Sequence, residues 1–298
     1  MALVQPIRTA VIPVAGKGTR LLPATKSHPK EMLPVGTKPV VQYVVEEVQS
    51  AGAGQVLFVT GRQKSAIEDH FDADPELDRA VREGPRPELL DELQFESEEV
   101  FYIRQSTPTG LANAVGRAKG FLRDGESFIV ALGDTIIWSE RGPSSLLRRM
   151  VAAHAEAEAA ATIAVEEVSE EDIQKYGIVE PEGDGGADVF RIASLVEKPS
   201  PLRAPSRLAI ASRYIFSHQI FPAIERTAPD ASGETQLTDA ISVLVKQGLP
   251  VVGVRLADDE ARYDIGSFES YFRAFVDFSL RDERYGYTLR QYLTRALG

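Results

Sequence analysis

A short apolar run, Thr9–Ala15, passes directly into Gly16-Lys17-Gly18-Thr19-Arg20-Leu21-Leu22-Pro23, and the Gly/Pro-rich stretch continues to Thr37. From Pro39 a helical pattern begins, with Val40, Val41, Val44, Val45 and Val48 on one face. Proline at a first helical position supports that start. Strand, glycine loop and helix in this order open an α/β sheet. The two glycines let backbone N–H groups approach an anion closely, and Arg20 and Lys30 add charge-assisted contacts, so the loop reads as a phosphate cradle. It is locally basic as well: Lys17, Arg20, Lys26, Lys30 and Lys38 face Glu31 alone, a charge of +4 between Gly16 and Pro39. The third glycine position of G-x-G-x-x-G holds Leu21, and no G-x-x-x-x-G-K-[ST] occurs, which speaks against dinucleotide and P-loop chemistry.

The rest of the chain is acidic. Over 298 residues, 33 Lys and Arg stand against 44 Asp and Glu, a net charge of −11. That is the wrong sign for a nucleic-acid or anionic-membrane surface, so neither is an expected partner, and a phosphate-bearing ligand must be met by the local patch. Thirteen acids against Arg79, Arg82 and Arg86 between Glu68 and Glu99 account for most of the excess and read as the solvated face of surface helices. The absence of cysteine excludes disulfides, thiolate metal sites and a Cys nucleophile, and fits a reducing, cytoplasmic setting. Met1–Arg8 lacks the pattern of a secretory leader, and no segment reaches the ~18 apolar residues of a membrane span.

Strands are expected at Gln55–Thr60, Val100–Arg104 and Ser127–Leu132, between helices at Gln63–Phe71, Asp74–Glu83, Arg86–Phe95 and Leu111–Leu122. The alanine-rich stretch Val151–Val165 reads as a helix running into a strand. Strands then follow at Ala161–Val168, Ile178–Glu182, Val189–Glu197 and Leu208–Phe216, before helices at His218–Ile224 and Gln236–Lys246. This predicts one α/β core over residues 1–266, divided near residue 150 into a half that holds the phosphate loop and a mixed-sheet substrate half. Residues 267–298 read as a helical region that joins copies of the chain, because aromatic and arginine residues there cover more than one helix face.

Several polar residues fall where such sheets bind ligands. Gln105 ends a strand and Gly110 opens a helix at the carboxyl edge. Asp134 follows the strand Phe128–Leu132 through Gly133, and Asp264 stands in Tyr263-Asp264-Ile265-Gly266. Mg²⁺ on nucleotide phosphates needs only one or two such carboxylates, although an Asp in such a turn is equally a helix cap. In Glu197-Lys198-Pro199 the residue before proline should be extended, which turns the two charged side chains to opposite faces and keeps them from pairing. His28, His70, His154 and His218 show no metal spacing.

From Gly16 to Pro34 the chain meets every fixed position of G-x-G-T-R-L-x-P-x-T-x-x-x-P-K-x-M-L-P, and over roughly residues 8 to 280 it resembles the sugar-nucleotide pyrophosphorylases. The uridylyltransferase branch is nearest, through Ile67–Asp72 with the insert Leu89–Glu92, Tyr176–Val179, Glu197-Lys198-Pro199 and Gln236–Ile241. The resemblance implies a Rossmann-like mixed sheet flanked by helices. It further implies transfer of a uridylyl group from UTP to glucose 1-phosphate by direct in-line attack, with Mg²⁺ on Asp134 and Asp264. Ala15, Gly16, Gly18, Thr19, Gln105 and Gly110 would then meet the nucleotide, and Arg20 and Lys30 its phosphates. Lys198 would hold the sugar phosphate beside Glu197 and Gly177, and the protein would be a homodimer or homotetramer. The segment Gly110-Leu111-Ala112-Asn113-Ala114 instead looks like the Gly-Leu-Ala-Gln-Ala of thymidylyltransferases, which keeps dTTP open as the nucleotide. A non-catalytic nucleotide-sugar sensor on the same fold is the alternative of another class.

Overall fold

Burial explains why Thr9–Pro13 is a strand. The computed structural model describes residues 7–93, 99–183 and 185–298. In Thr9–Pro13 (β1), Ala10, Val11 and Ile12 have no exposure. Successive side chains alternate, so Val11 enters one core while Ala10 and Ile12 enter the core on the other face. Pro34–Val35 (β2) and Lys38–Pro39 (β3) pair as a small turn, and Val40–Ser50 (α1) lays Val41, Val44, Val45 and Val48 onto the Ile12 face. Gln55–Thr60 (β4), Ser65–Phe71 (α2), Pro75–Glu83 (α3), Leu90–Leu93 (α4), Glu99–Arg104 (β5), Leu111–Gly116 (α5) and Phe128–Ala131 (β6) follow. Next come Thr135–Ser139 (β7), Ser145–Glu156 (α6), Ala161–Glu167 (β8), Gly177–Pro181 (β9), Val189–Glu197 (β10) and Leu208–Phe216 (β11). Ile220–Arg226 (α7), Leu237–Lys246 (α8), Val251–Arg255 (β12), Glu260–Asp264 (β13), Phe268–Arg281 (α9) and Gly286–Leu297 (α10) complete the order.

Among the described residues nine strands form one sheet in the order β5-β4-β1-β6-β11-β8-β12-β10-β9. The first four are parallel, whereas β11 runs against β6 and β8, and β10 runs against β12 and β9. The sheet is therefore mixed, and the β6–β11 pairing makes it continuous from the first half of the chain into the second. Helices cover both faces, with α5, α7 and α8 on one core and α1, α2 and α6 on the other.

Some boundaries differ from expectation for local reasons. Pro39 is extended and precedes the first helical residue rather than occupying it. Gln63 adopts a left-handed φ of 64°, so α2 starts only at Ser65. Asp74 caps α3 by accepting from the Glu76 and Leu77 amides, as an Asp before Pro75 can. The helix expected over Arg86–Phe95 is a 3₁₀ turn, Pro87–Leu89, followed by α4, and Phe95 lies outside the described residues. The stretch Met1–Pro6, read as lacking a leader, also lies outside them. Among the described residues no helix is long and apolar enough to cross a membrane.

The largest addition to the expected fold is an antiparallel ribbon of β7 and β13, separate from the main sheet, which pairs Thr135 with Asp264 and Ile136 with Tyr263. Ile136 and Ile265 from this ribbon, Leu21, Leu33 and Val35 from the glycine-rich loop, and Ala274 and Phe278 from α9 form a third core. Helix α9 thus packs beneath the phosphate loop, and the Tyr271 hydroxyl donates to the Pro34 carbonyl at 3.0 Å.

Candidate active site

The basic loop is organised around Lys30. Its ammonium bonds the carboxylate of Asp134, which β6 and the turn through Gly133 deliver to the carboxyl edge of the sheet. Gly133 is required there, since a Cβ would lie 2.5 Å from Val14. Burial pushes the Asp134 carboxyl up, but the charge and hydrogen bond of Lys30 outweigh it and hold the group below the usual carboxylate value. Burial likewise works against the Lys30 ammonium, and Asp134 and Glu31 reverse it, so Lys30 stays charged to higher pH than a free lysine. Behind Lys30 a second pair is almost wholly buried: Lys64 donates to Glu31 at 2.6 Å. Desolvation dominates here, raising the Glu31 carboxyl and lowering the Lys64 ammonium.

The ribbon brings Asp264 to this centre. The Ile265 amide donates to the Asp134 carbonyl at 2.9 Å, so the two aspartates sit at the same end of adjoining segments. Burial and the negative charge of Asp134 both raise the Asp264 carboxyl, against the partial relief of Arg262, Lys30 and Arg20. Arg20 comes within reach at Gly266, where a Cβ would lie 3.2 Å from its guanidinium and 3.0 Å from Asp264 Oδ1. Two partly buried carboxylates that repel each other among three cations suit a hard divalent cation with phosphate oxygens completing its shell. Among the described residues no group of three or more His, Asp or Glu side chains gathers for a metal.

A cavity of about 380 Å³ opens above these groups, lined by Ala15, Gly16, Arg20, Lys30, Gln105, Gly110, Leu111, Leu132 and Asp134. Gly18 and Thr19 are not among the lining residues. Gly18, at φ 64°, receives the Thr25 hydroxyl on its carbonyl at 2.7 Å and lies against Lys30 and Thr25, so it shapes the loop from below, and Thr19 begins the 3₁₀ turn that follows. Gln105 is only 3% exposed, and its amide nitrogen donates to the Gly110 carbonyl at 3.1 Å and to Asn113 Oδ1 at 3.0 Å. Gly110 has no substitute: φ is 103°, and a Cβ would meet the Thr235 carbonyl oxygen at 2.4 Å.

A second cavity of about 200 Å³ shares Leu111 and Leu132 with the first and continues the cleft to Gly177, Glu197, Lys198, Ser212 and Thr238. Contrary to expectation, Glu197 and Lys198 do pair, at 3.3 Å. Lys198 is not extended but lies at φ 43°, a left-handed conformation that swings its side chain back over Glu197. Glu197 also accepts from the Thr238 hydroxyl at 2.6 Å. The space beside Gly177 is taken by Thr238 and Glu197, 2.7 Å and 3.1 Å from where a Cβ would stand, so the glycine serves packing and only its backbone reaches the cavity. The stretch Gln236–Ile241 gave Thr238 no role, and nothing in the sequence pattern singled out Lys64 or Arg262, which pairs with Glu166 and stacks 4.1 Å from the Tyr176 ring centre. A larger cavity, about 520 Å³ around Arg8, Gln55 and His154, lies at the amino ends of the same strands, away from all these residues.

Residues 9–279 match the family model described as nucleotidyl transferase. The chain is 41% identical over 280 residues to a UTP–glucose-1-phosphate uridylyltransferase of Bacillus subtilis, covering 93% of this chain and 92% of that one. A UTP-bound UGPase from Acinetobacter baumannii superposes with a TM-score of 0.87 at 34% identity, over 97% of this chain and 99% of that one. A UDP-glucose pyrophosphorylase complexed with UDP-glucose gives 0.81 at 34% identity, over 93% and 100%.

Proposed function

The chain belongs to the nucleotidyl transferase family, and from that premise we propose that it transfers the uridylyl group of UTP to glucose 1-phosphate, yielding UDP-glucose and pyrophosphate. The observation that carries this reading is the cleft in which a cavity lined by Arg20, Lys30 and Asp134 joins a polar sugar-sized cavity through Leu111 and Leu132. The phosphate of glucose 1-phosphate is already an anionic nucleophile near neutral pH, so its oxygen attacks the α-phosphorus of UTP without a general base as pyrophosphate leaves in line. Catalysis then reduces to positioning and charge neutralisation. Lys30 and Arg20 meet the triphosphate, and Lys198, 55% exposed in its side chain, meets the sugar phosphate while Glu197 accepts from sugar hydroxyls. Asp134 and Asp264 would hold Mg²⁺, which when bound neutralises phosphate charge.

Base choice rests on Gln105. With its amide donors engaged by Gly110 and Asn113, the remaining Oε1 suits the N3–H of uracil or thymine and opposes cytosine, whose N3 is an acceptor. The thymine methyl adds only ~1–3 kcal/mol of steric discrimination, so some dTTP use accompanies UTP. Under the same reading the reaction is cytoplasmic, and the protein is a homo-oligomer joined through α9 and α10, where Phe272, Tyr285, Tyr287 and Tyr292 are more than half exposed. Pyrophosphate release, measured with each nucleoside triphosphate and several sugar phosphates, tests the assignment. UTP with glucose 1-phosphate is expected to be the best pair. A clear preference for dTTP moves the protein to the thymidylyl branch, and binding without turnover makes it a sensor.

A further inference from the structure

Arg213 is the largest fully buried side chain among the described residues, and it sits on the central strand β11, between β6 and β8. Its partner is Glu47 of α1, 3% exposed. Nε donates to both Glu47 oxygens at 3.1 Å and Nη2 to Oε2 at 2.6 Å. The other donors go to main chain: Nη2 to the Thr135 carbonyl at 2.8 Å and Nη1 to the Ser212 carbonyl at 3.1 Å. The Leu132 amide donates to that same Ser212 carbonyl at 3.2 Å. The guanidinium therefore holds the Thr135 end of the turn Leu132–Thr135 directly and the Leu132 end through the shared Ser212 carbonyl, and Asp134 stands inside that turn. Ser212 is itself unusual, at φ 62° in an irregularity of the β11–β8 pairing between Ile210 and Tyr214, and it lines the smaller cavity.

Stability is a weak account of such a pair, because apolar side chains of similar volume often replace a buried ion pair at no loss. What they cannot replace is a rigid fork of donors aimed at two carbonyls. On the uridylyl-transfer reading of the cleft, on which this rests, we infer that Glu47 and Arg213 form a positioning pair for the reaction. It sets Asp134, at the nucleotide end, against Ser212, at the sugar end. Neither residue touches the cavity that receives the triphosphate. They act through the backbone they hold.

The test replaces the pair by apolar residues, Glu47→Leu with Arg213→Met, in the full-length protein. The expected variant melts near the parent, loses about tenfold or more in kcat and raises KM for glucose 1-phosphate. Hydrogen exchange at residues 132–139 is expected to quicken while that of β1 and β4 does not. A folded double variant with kcat within about twofold of the parent and unchanged exchange overturns the inference. So does an equal loss toward both substrates with exchange raised over the whole sheet. If the double variant does not fold, Arg213→Lys decides by the same criteria, since a single ammonium cannot reach both carbonyls and both carboxylate oxygens. A parent that turns over neither substrate defeats the reading of the cleft instead, and exchange at residues 132–139 alone then decides the positioning.

Discussion

The Lys30 ammonium and the Asp134 carboxylate, 104 residues apart in the chain, are bonded to each other at the floor of the cleft. Each holds the other ionised against burial, Asp134 below and Lys30 above its ordinary pKa. Asp134→Asn keeps the size and removes the charge, so turnover is expected to fall by about three orders of magnitude while circular dichroism stays native. Steady-state pyrophosphate release decides it. A folded variant within about tenfold of the parent removes Asp134 from the catalytic centre.

Asn113 fixes the amide plane of Gln105 together with the Gly110 carbonyl, which cannot turn. Asn113→Leu leaves the plane free to swing and present a donor to the base. The ratio of kcat/KM for UTP over CTP is expected to drop about tenfold, with KM for glucose 1-phosphate unchanged. An unaltered ratio means Asn113 has no part in reading the base.

Lys198 combines a charge with a strained backbone, φ 43°. Lys198→Ala is expected to weaken glucose 1-phosphate about tenfold or more and UTP far less, and to lower the melting temperature. Lys198→Gly should weaken the sugar phosphate equally yet melt higher than the alanine variant, because glycine accepts positive φ. Calorimetric titration of both substrates, with melting curves, separates the two effects. Equal loss for both substrates assigns the ammonium to the triphosphate.

His154 is buried between Thr162, 3.0 Å from Nδ1, and Ser127, 3.1 Å from Nε2, and burial lowers its pKa from 6.5 to about 4. Between those values the unfolded chain binds more protons than the folded one, so stability rises with pH. It is lost as pH falls from 6.5 toward 4, by on the order of 3 kcal/mol. His154→Gln should flatten the dependence of melting temperature on pH across that window. A slope equal to the parent's assigns acid sensitivity to other groups.

Phe272 and Phe275 on α9 are 58% and 39% exposed, and Tyr287 and Tyr292 on α10 are 67% and 60% exposed. A patch of this kind favours a second copy of the chain, most simply in a closed two-fold dimer. Light scattering at micromolar concentration should give a multiple of the 32.6 kDa chain mass. Phe272→Glu with Phe275→Glu should return a monomer. A monomeric parent sinks the assignment.

Strands β4, β10 and β11 were legible in the sequence residue for residue, because apolar β-branched runs bounded by turn residues have few alternatives. The ribbon of β7 and β13 was not. Its strands are five residues each and only partly apolar, and they pair with each other rather than with a neighbour in sequence. Local pattern carries no trace of a partner as distant in the chain as Asp264 is from Thr135. The same limit hid Lys64, Thr238 and Arg213, whose roles come from contacts across the chain.

The sequence by itself determined the fold class, the phosphate loop and the identity of the charged residues, since glycine placement and charge type are properties of single positions. Tertiary structure decided how those charges are used. It set Asp264 beside Asp134, turned Lys198 back onto Glu197 against the rule for a residue before proline, and spent the donors of Gln105 on Asn113. Pairing energies and burial depend on which groups meet in space, and only the packed sheet and its ribbon bring these together.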